Sequence, residues 1–259
     1  MREVDEALAR AYAQSETSDA PRRVPPAPHW PAGALHSQPA RPSLSAAPQS
    51  SIELQWPSIV LTLERDWGDR FEKMADGLLR ARQEQNLKVI LFTSCHRAEG
   101  RTTLVLTLAR ALARHPLRTL VVDADLTGPM VARMLGLRPE TGLDDVVEGG
   151  QAVSDALIDA RDDHLGILPM RSAVARPRDF LVNPAWTCTL ARLRREFDLV
   201  LVDGGPLFTG LSAAVLHRSV DAAVLVSHRG ITGERAVLRA REVLEAGGVP
   251  LLGLAETFV

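Results

Sequence analysis

Lysine is almost missing from this 259-residue chain: Lys73 and Lys88 are the only two among 30 basic residues, and arginine supplies the rest. Cysteine is equally scarce. Cys95 and Cys188 are too few for a disulfide framework or a cysteine-based zinc site, which makes a reducing cytoplasm the default compartment. Aromatic residues make up 4% of the chain and include one tyrosine, Tyr12, so autophosphorylation on a tyrosine cluster is excluded. No run approaches the roughly 20 apolar residues of a membrane-spanning helix. The start of the chain carries Glu3, Asp5 and Glu6 and no apolar core segment, unlike a secretory signal. Any membrane association is therefore expected to run through a partner. Charge of one sign is lacking too: the formal net charge of -2, with both signs intermixed, gives no electrostatic case for nucleic acid or an anionic membrane surface.

What is present is apolar residue, 46% of the chain, enough to bury one good-sized core. Residues 4–14 have helical spacing, with Val4, Leu8 and Ala11 on one face, and lead into a Pro/Ser/Ala-rich stretch at 15–51 that holds eight prolines. Three segments are expected: a short helix at 1–14, a disordered linker at 15–56 and a globular domain at 57–259. The first helix reads as a frayed terminus or as a docking peptide. An amphipathic helix is expected at 66–86, where Phe71, Met74, Ala75, Leu78 and Leu79 recur at helical spacing. Short β-branched and leucine-rich runs follow at 89–92, 119–122, 166–168, 199–202, 222–227 and 251–254. Helical patterns at 102–114, 130–135, 185–196, 210–217 and 234–246 separate them. Near-continuous apolar strands alternating with helices predict an α/β fold, a doubly wound and mostly parallel sheet covered on both faces.

Three segments carry chemistry. The first strand opens into Ser94-Cys95-His96-Arg97-Ala98-Glu99-Gly100-Arg101-Thr102-Thr103 and then a helix. Strand, loop and helix in this order suit phosphate, because backbone N–H groups and the helix N-terminus face an anion. Ala98, Glu99, Gly100, Arg101, Thr102 and Thr103 are the candidate phosphate-binding residues, with the Thr102 hydroxyl placed for Mg²⁺. An ordinary strand-to-helix turn capped by threonine is the other reading of this loop. In Val122-Asp123-Ala124-Asp125, two carboxylates end a buried strand at the ligand edge of an open sheet. One could organise a metal and the other accept a proton from an attacking hydroxyl. In Val202-Asp203-Gly204-Gly205-Pro206, an apolar strand ends in an aspartate, as in the Walker B pattern. Cys95 reads as a small filler or a reactive thiol, His96 as a solvated substitution or a base, and Trp186 as core or interface.

In this order and spacing the three segments, with Leu165-Gly166-Ile167-Leu168-Pro169 and Val220-Asp221-Ala222-Ala223-Val224-Leu225-Val226, resemble the P-loop ATPases of the MinD/ParA type. Within that group they are most similar to the cytoplasmic domain of bacterial tyrosine kinases that regulate capsule and exopolysaccharide synthesis. The likeness runs from about residue 69 to 253. It implies a P-loop NTPase-type fold, ATP or ADP with Mg²⁺ as cofactors, Asp123, Asp125 and Asp203 as catalytic residues, and Thr102, Asp123 and Asp203 on the metal. Asp123 is the leading candidate to activate the acceptor hydroxyl. The resemblance also implies a transmembrane polysaccharide chain-length regulator as partner, docking through residues 4–14 or an exposed edge of the domain. A cytoplasmic protein, peripheral at the inner face of the membrane through that partner, follows from it.

The chain departs from the family pattern at several places. Arg101 stands where the family has a lysine, and a planar guanidinium does not replace a point charge conservatively. Arg97 and Ala98 replace Pro-Gly, Thr127 replaces an arginine, and Gly204-Gly205-Pro206 replaces the usual small residue and paired prolines. The ExxRxxR segment linked to homo-oligomeric rings reads Asp69, Glu72 and Ala75, which weakens the expectation of such an assembly. Three functions stand: a nucleotide-binding regulator of exopolysaccharide or capsule synthesis, weakly active or a pseudokinase; a competent ATP-dependent protein-tyrosine kinase or ATPase; and a MinD/ParA-like positioning ATPase. The last class carries a second lysine early in the loop, and residues 94–99 contain none.

Overall fold

The computed structural model describes residues 53–209 and 219–258. The helix expected at 1–14, nearly all of the linker and the helix expected at 210–217 lie outside the described residues.

A long helix, α1 (Ser58–Gln85), leads into strand β1 (Val89–Ser94), helix α2 (Arg101–Leu112) and strand β2 (Thr119–Ala124). Three short helices follow, α3 (Val131–Met134), α4 (Leu143–Val147) and α5 (Val153–Ala156), then strands β3 (Ile158–Ala160) and β4 (Leu165–Leu168). The chain continues through α6 (Pro177–Val182), α7 (Pro184–Glu196), β5 (Leu199–Pro206), β6 (Ala222–His228), α8 (Glu234–Ala246) and β7 (Leu251–Thr257). The seven strands form one sheet in the order β3-β4-β2-β5-β1-β6-β7. Every neighbouring pair is parallel except β3 with β4.

Period-two alternation divides the strand side chains between two cores. Ile90, Phe92, Val121, Leu199, Leu201 and Val224 pack with α1, α2 and α3 on one face. Leu91, Leu120, Val122, Val200, Val202 and Leu225 pack with α4 to α8 on the other. Because both faces are covered, β1, β2 and β5 are buried at every position and read in sequence as unbroken apolar runs. Trp186 is fully buried in the second core.

Several boundaries differ from the sequence reading. Helix α1 begins at Ser58 rather than at 66 and is broken at Trp67, whose φ of −132° is not helical. Composition places residues 54–56 in the linker, yet Leu54 is buried, the Gln55 N–H donates to the Leu135 carbonyl at 3.1 Å, and the Trp56 indole donates to Asp163 at 2.8 Å. Strands β2 and β5 extend past the apolar runs to Ala124 and Pro206, carrying Asp123 and Asp203 into the ladder as direct neighbours. The four- to six-residue helices α4, α5 and α6 and the three-residue strand β3 have no counterpart in the reading, since pieces this short carry no measurable periodicity.

Candidate functional site

The site lies beyond the C-terminal ends of β1, β2 and β5, where the loop after β1 meets the carboxylates of its neighbours. Two residues of that loop take left-handed backbone angles, Ala98 (φ 61°) and Gly100 (φ 78°). The position occupied by Ala98 suits glycine better, and alanine holds it at some backbone cost. At Gly100 an added Cβ would also meet Phe258 Cε2 and Thr257 Cγ2 at 3.3 Å, so the end of β7 closes over the loop. Glu99 pins the loop from below. It is buried, accepts from the His96 N–H at 2.8 Å and from the Thr232 hydroxyl, and its carbonyl accepts from the Thr257 hydroxyl at 2.8 Å.

Helix α2 then starts with Arg101, Thr102 and Thr103, whose N–H groups have no carbonyl partner within the helix and no acidic side chain in the first turn. This end of the helix carries partial positive charge and favours an anion. The loop, Asp125, Gly128, Met130 and Met134 line a cavity of about 200 Å³ above it.

The Arg101 side chain turns inward instead of facing that cavity's mouth. Its Nε donates to Asp203 Oδ1, its Nη1 to Ser94 Oγ and its Nη2 to Asp125 Oδ2, each at 2.8 Å. Burial disfavours the charge, but Asp203 and Asp125 outweigh it and hold the guanidinium above its ordinary pKa. Thr102 donates from Oγ1 to Asp203 Oδ2 at 2.6 Å. Both Asp203 oxygens are thus engaged within the protein.

Asp125 gathers donors from several sides. Its Oδ1 accepts from the backbone N–H groups of Thr127 and Gly128, and a second guanidinium, that of Arg97, lies 3.5 Å from Oδ2. Arg97 also donates to the Thr127 hydroxyl at 2.5 Å and remains about half exposed at the rim.

Asp123 faces another way. Its carboxylate accepts from the N–H groups of Asp125, Met130 and Val131 at 3.2, 3.0 and 2.9 Å and has no exposed surface. Burial first, then the charge of Asp203 beside it in the ladder, pushes its pKa up to about 8, against the pull of the backbone donors. Asp203 is also raised by burial, while Arg101 and Thr102 act to lower it. Cys95 is buried under the loop, and burial followed by the charge of Glu99 pushes its thiol up to about 11, the behaviour of a filler and not of a nucleophile. His96 is exposed and packs edge-on to Phe208 at 5.6 Å.

Arg101, Thr102, Asp125 and Asp203 therefore meet at one point, the loop residues 98–103 surround it, and Asp123 lies beneath. Sequence reasoning did not single out Ser94, Thr232 or Thr257. Only Ser94 carries a local signal, a hydroxyl ending a buried apolar strand. The use of Gly205 is likewise tertiary: a Cβ there would sit 3.3 Å from Asp125 Oδ1.

The chain matches no protein-family model. It is 30% identical over 169 residues to the tyrosine-protein kinase CpsD of Streptococcus pneumoniae, a match covering 65% of this chain and 74% of the relative. The chain belongs to the bacterial tyrosine-protein kinase family. Within this kinase family it is also 28% identical over 171 residues to the tyrosine-protein kinase YwqD of Bacillus subtilis, covering 66% of this chain and 72% of the relative. Among solved structures, the kinase domain of VpsO superposes with a TM-score of 0.68 at 26% identity, covering 77% of this chain and 96% of that one. The septum site-determining protein MinD of Pyrococcus horikoshii, solved with Mg-ADP, gives a TM-score of 0.55 at 25% identity, covering 64% of this chain and 68% of that one. The fold of this kinase-family chain is that of the P-loop NTPases.

Proposed function

We propose that this chain is a nucleotide-phosphate-binding regulator on the tyrosine-kinase fold, acting in exopolysaccharide or capsule synthesis and transferring phosphoryl groups weakly or not at all. The observation that carries the reading is the inward Arg101. A magnesium ion needs open carboxylate or hydroxyl oxygens, but the Arg101 guanidinium bridges Asp203 Oδ1 and Asp125 Oδ2, and Asp123 is committed to backbone donors. The residues present do not fit Mg²⁺ in this arrangement. They do fit the phosphates of ATP or ADP: the left-handed residues Ala98 and Gly100 and the first turn of α2 offer N–H groups beside the cavity, and MinD, a neighbour in fold, was solved with Mg-ADP.

The resemblance supports a transmembrane chain-length regulator as the partner through which the protein reaches the inner face of the membrane. No helix among the described residues is long and apolar enough to cross a membrane itself. Ring assembly through α1 is disfavoured, because Ala75 is buried and Glu72 pairs with Arg114 of the same chain at 2.7 Å.

The test is turnover of ATP with Mg²⁺ by the purified chain, with a tyrosine-containing acceptor present. ADP release at the level of the protein-free blank is the expected result. Turnover that disappears in Asp203→Asn would refute the inactive reading. It would favour the second one, a competent kinase, which draws support from Thr102, Asp125 and Asp203 meeting at one point and predicts that Arg101→Lys retains or raises the rate.

A further inference from the structure

A divalent cation beside a phosphate loop has two tasks: it balances the carboxylates beneath the loop, and it bridges to the phosphate oxygens above. In this chain a covalently attached cation already performs the first. The guanidinium of Arg101 reaches Ser94, Asp125 and Asp203 through three separate nitrogens at 2.8 Å, a use of the planar fork that an ammonium could not reproduce. Arg97 brings a second positive charge within 3.5 Å of Asp125. Two guanidiniums thus stand against Asp125 and Asp203, and the local charge closes without a metal.

Entry of a metal ion would undo this arrangement. It would have to displace Arg101 from Asp203 and Asp125, and that side chain is only 8% exposed. The displaced guanidinium would then be a buried charge without its partners, next to a dication. The other half of the site is independent of that network. The N–H groups of the first turn of α2 donate to nothing within the helix, and residues 97–103 line the cavity above them.

We propose that this loop binds nucleoside di- or triphosphates as metal-free anions, with Arg101 as the resident cation in place of Mg²⁺. The proposal rests on the reading of the loop as a phosphate site, and the two can fail separately. The experiment is a titration of the full-length protein with a fluorescent ADP analogue, in EDTA and in millimolar Mg²⁺, for the wild type and for Arg101→Lys. The wild type is expected to bind with dissociation constants that agree within about threefold between the two buffers, whereas Mg²⁺ tightens binding to Arg101→Lys by roughly tenfold or more. A wild type that Mg²⁺ tightens by about tenfold overturns the proposal and leaves the phosphate site standing. Indifference to Mg²⁺ in both proteins removes the role given to Arg101. Absence of binding in both buffers overturns the phosphate site itself. Should Arg101→Lys fail to fold, the wild-type pair of titrations still decides.

Discussion

A buried guanidinium on two carboxylates leaves the third carboxylate of the cluster to be neutralised by other means. Asp123 lies in register with Asp203, is fully buried, and is pushed up to about 8. An acid whose folded pKa lies above its unfolded value of 3.8 costs stability as it ionises. Between about pH 4 and 8 the folded state keeps a proton that the unfolded chain has lost, so stability falls as pH rises through that window. Asp203, raised by burial as well, acts with the same sign. The expected outcome is a Tm lower at pH 8 than at pH 5 by at least about 4 °C, with a shallower slope for Asp123→Asn. A Tm independent of pH over this range in the wild type would remove the raised carboxylate. The slope is the readout and not the absolute Tm, because an asparagine amide would face the donors that Asp123 now accepts.

At the scale of elements, the phosphate loop is held by a strand distant in sequence. Strand β7 pairs in parallel with β6 and ends at Thr257, which donates to the carbonyl of Glu99. Phe258, next in the chain, stacks on His228 at 4.1 Å and covers Gly100. Thr257→Val keeps the shape but leaves the Glu99 carbonyl without this donor. The loss expected is about 1 kcal/mol, together with faster amide hydrogen exchange confined to the loop at 96–100. Unchanged exchange there would show that the loop supports itself. The elements that build the site, β1, α2, β2 and β5, were legible because each is a long apolar or periodic run. The clamp from β7 was not, since its contacts with Glu99 and Gly100 join residues more than 150 positions apart.

Over the whole molecule, stability comes from two apolar layers divided by the sheet. Leu201 on the central strand β5 is fully buried in the layer that also holds Val105 and Leu108 of α2. Leu201→Ala is expected to cost about 2 to 5 kcal/mol, measured by denaturant unfolding. A cost below about 1 kcal/mol would mean that the layer closes around the cavity.

The fold class, the order of strands and helices along the chain and the place of the loop were set by local pattern alone: apolar runs of strand length, helical periodicity, and polar residues where strands end. Family membership followed from the order of the same short motifs. What Arg101 does was a tertiary matter. Its sequence neighbours suggest a residue facing phosphate, but its donors are satisfied by Ser94, Asp125 and Asp203, which lie on three different strands or their ends. The parallel register brings Asp123 and Asp203 side by side, and the space left by Gly205 lets Asp125 approach. A long side chain takes its direction from the charges the fold gathers around it, and those charges become neighbours only when the sheet is complete.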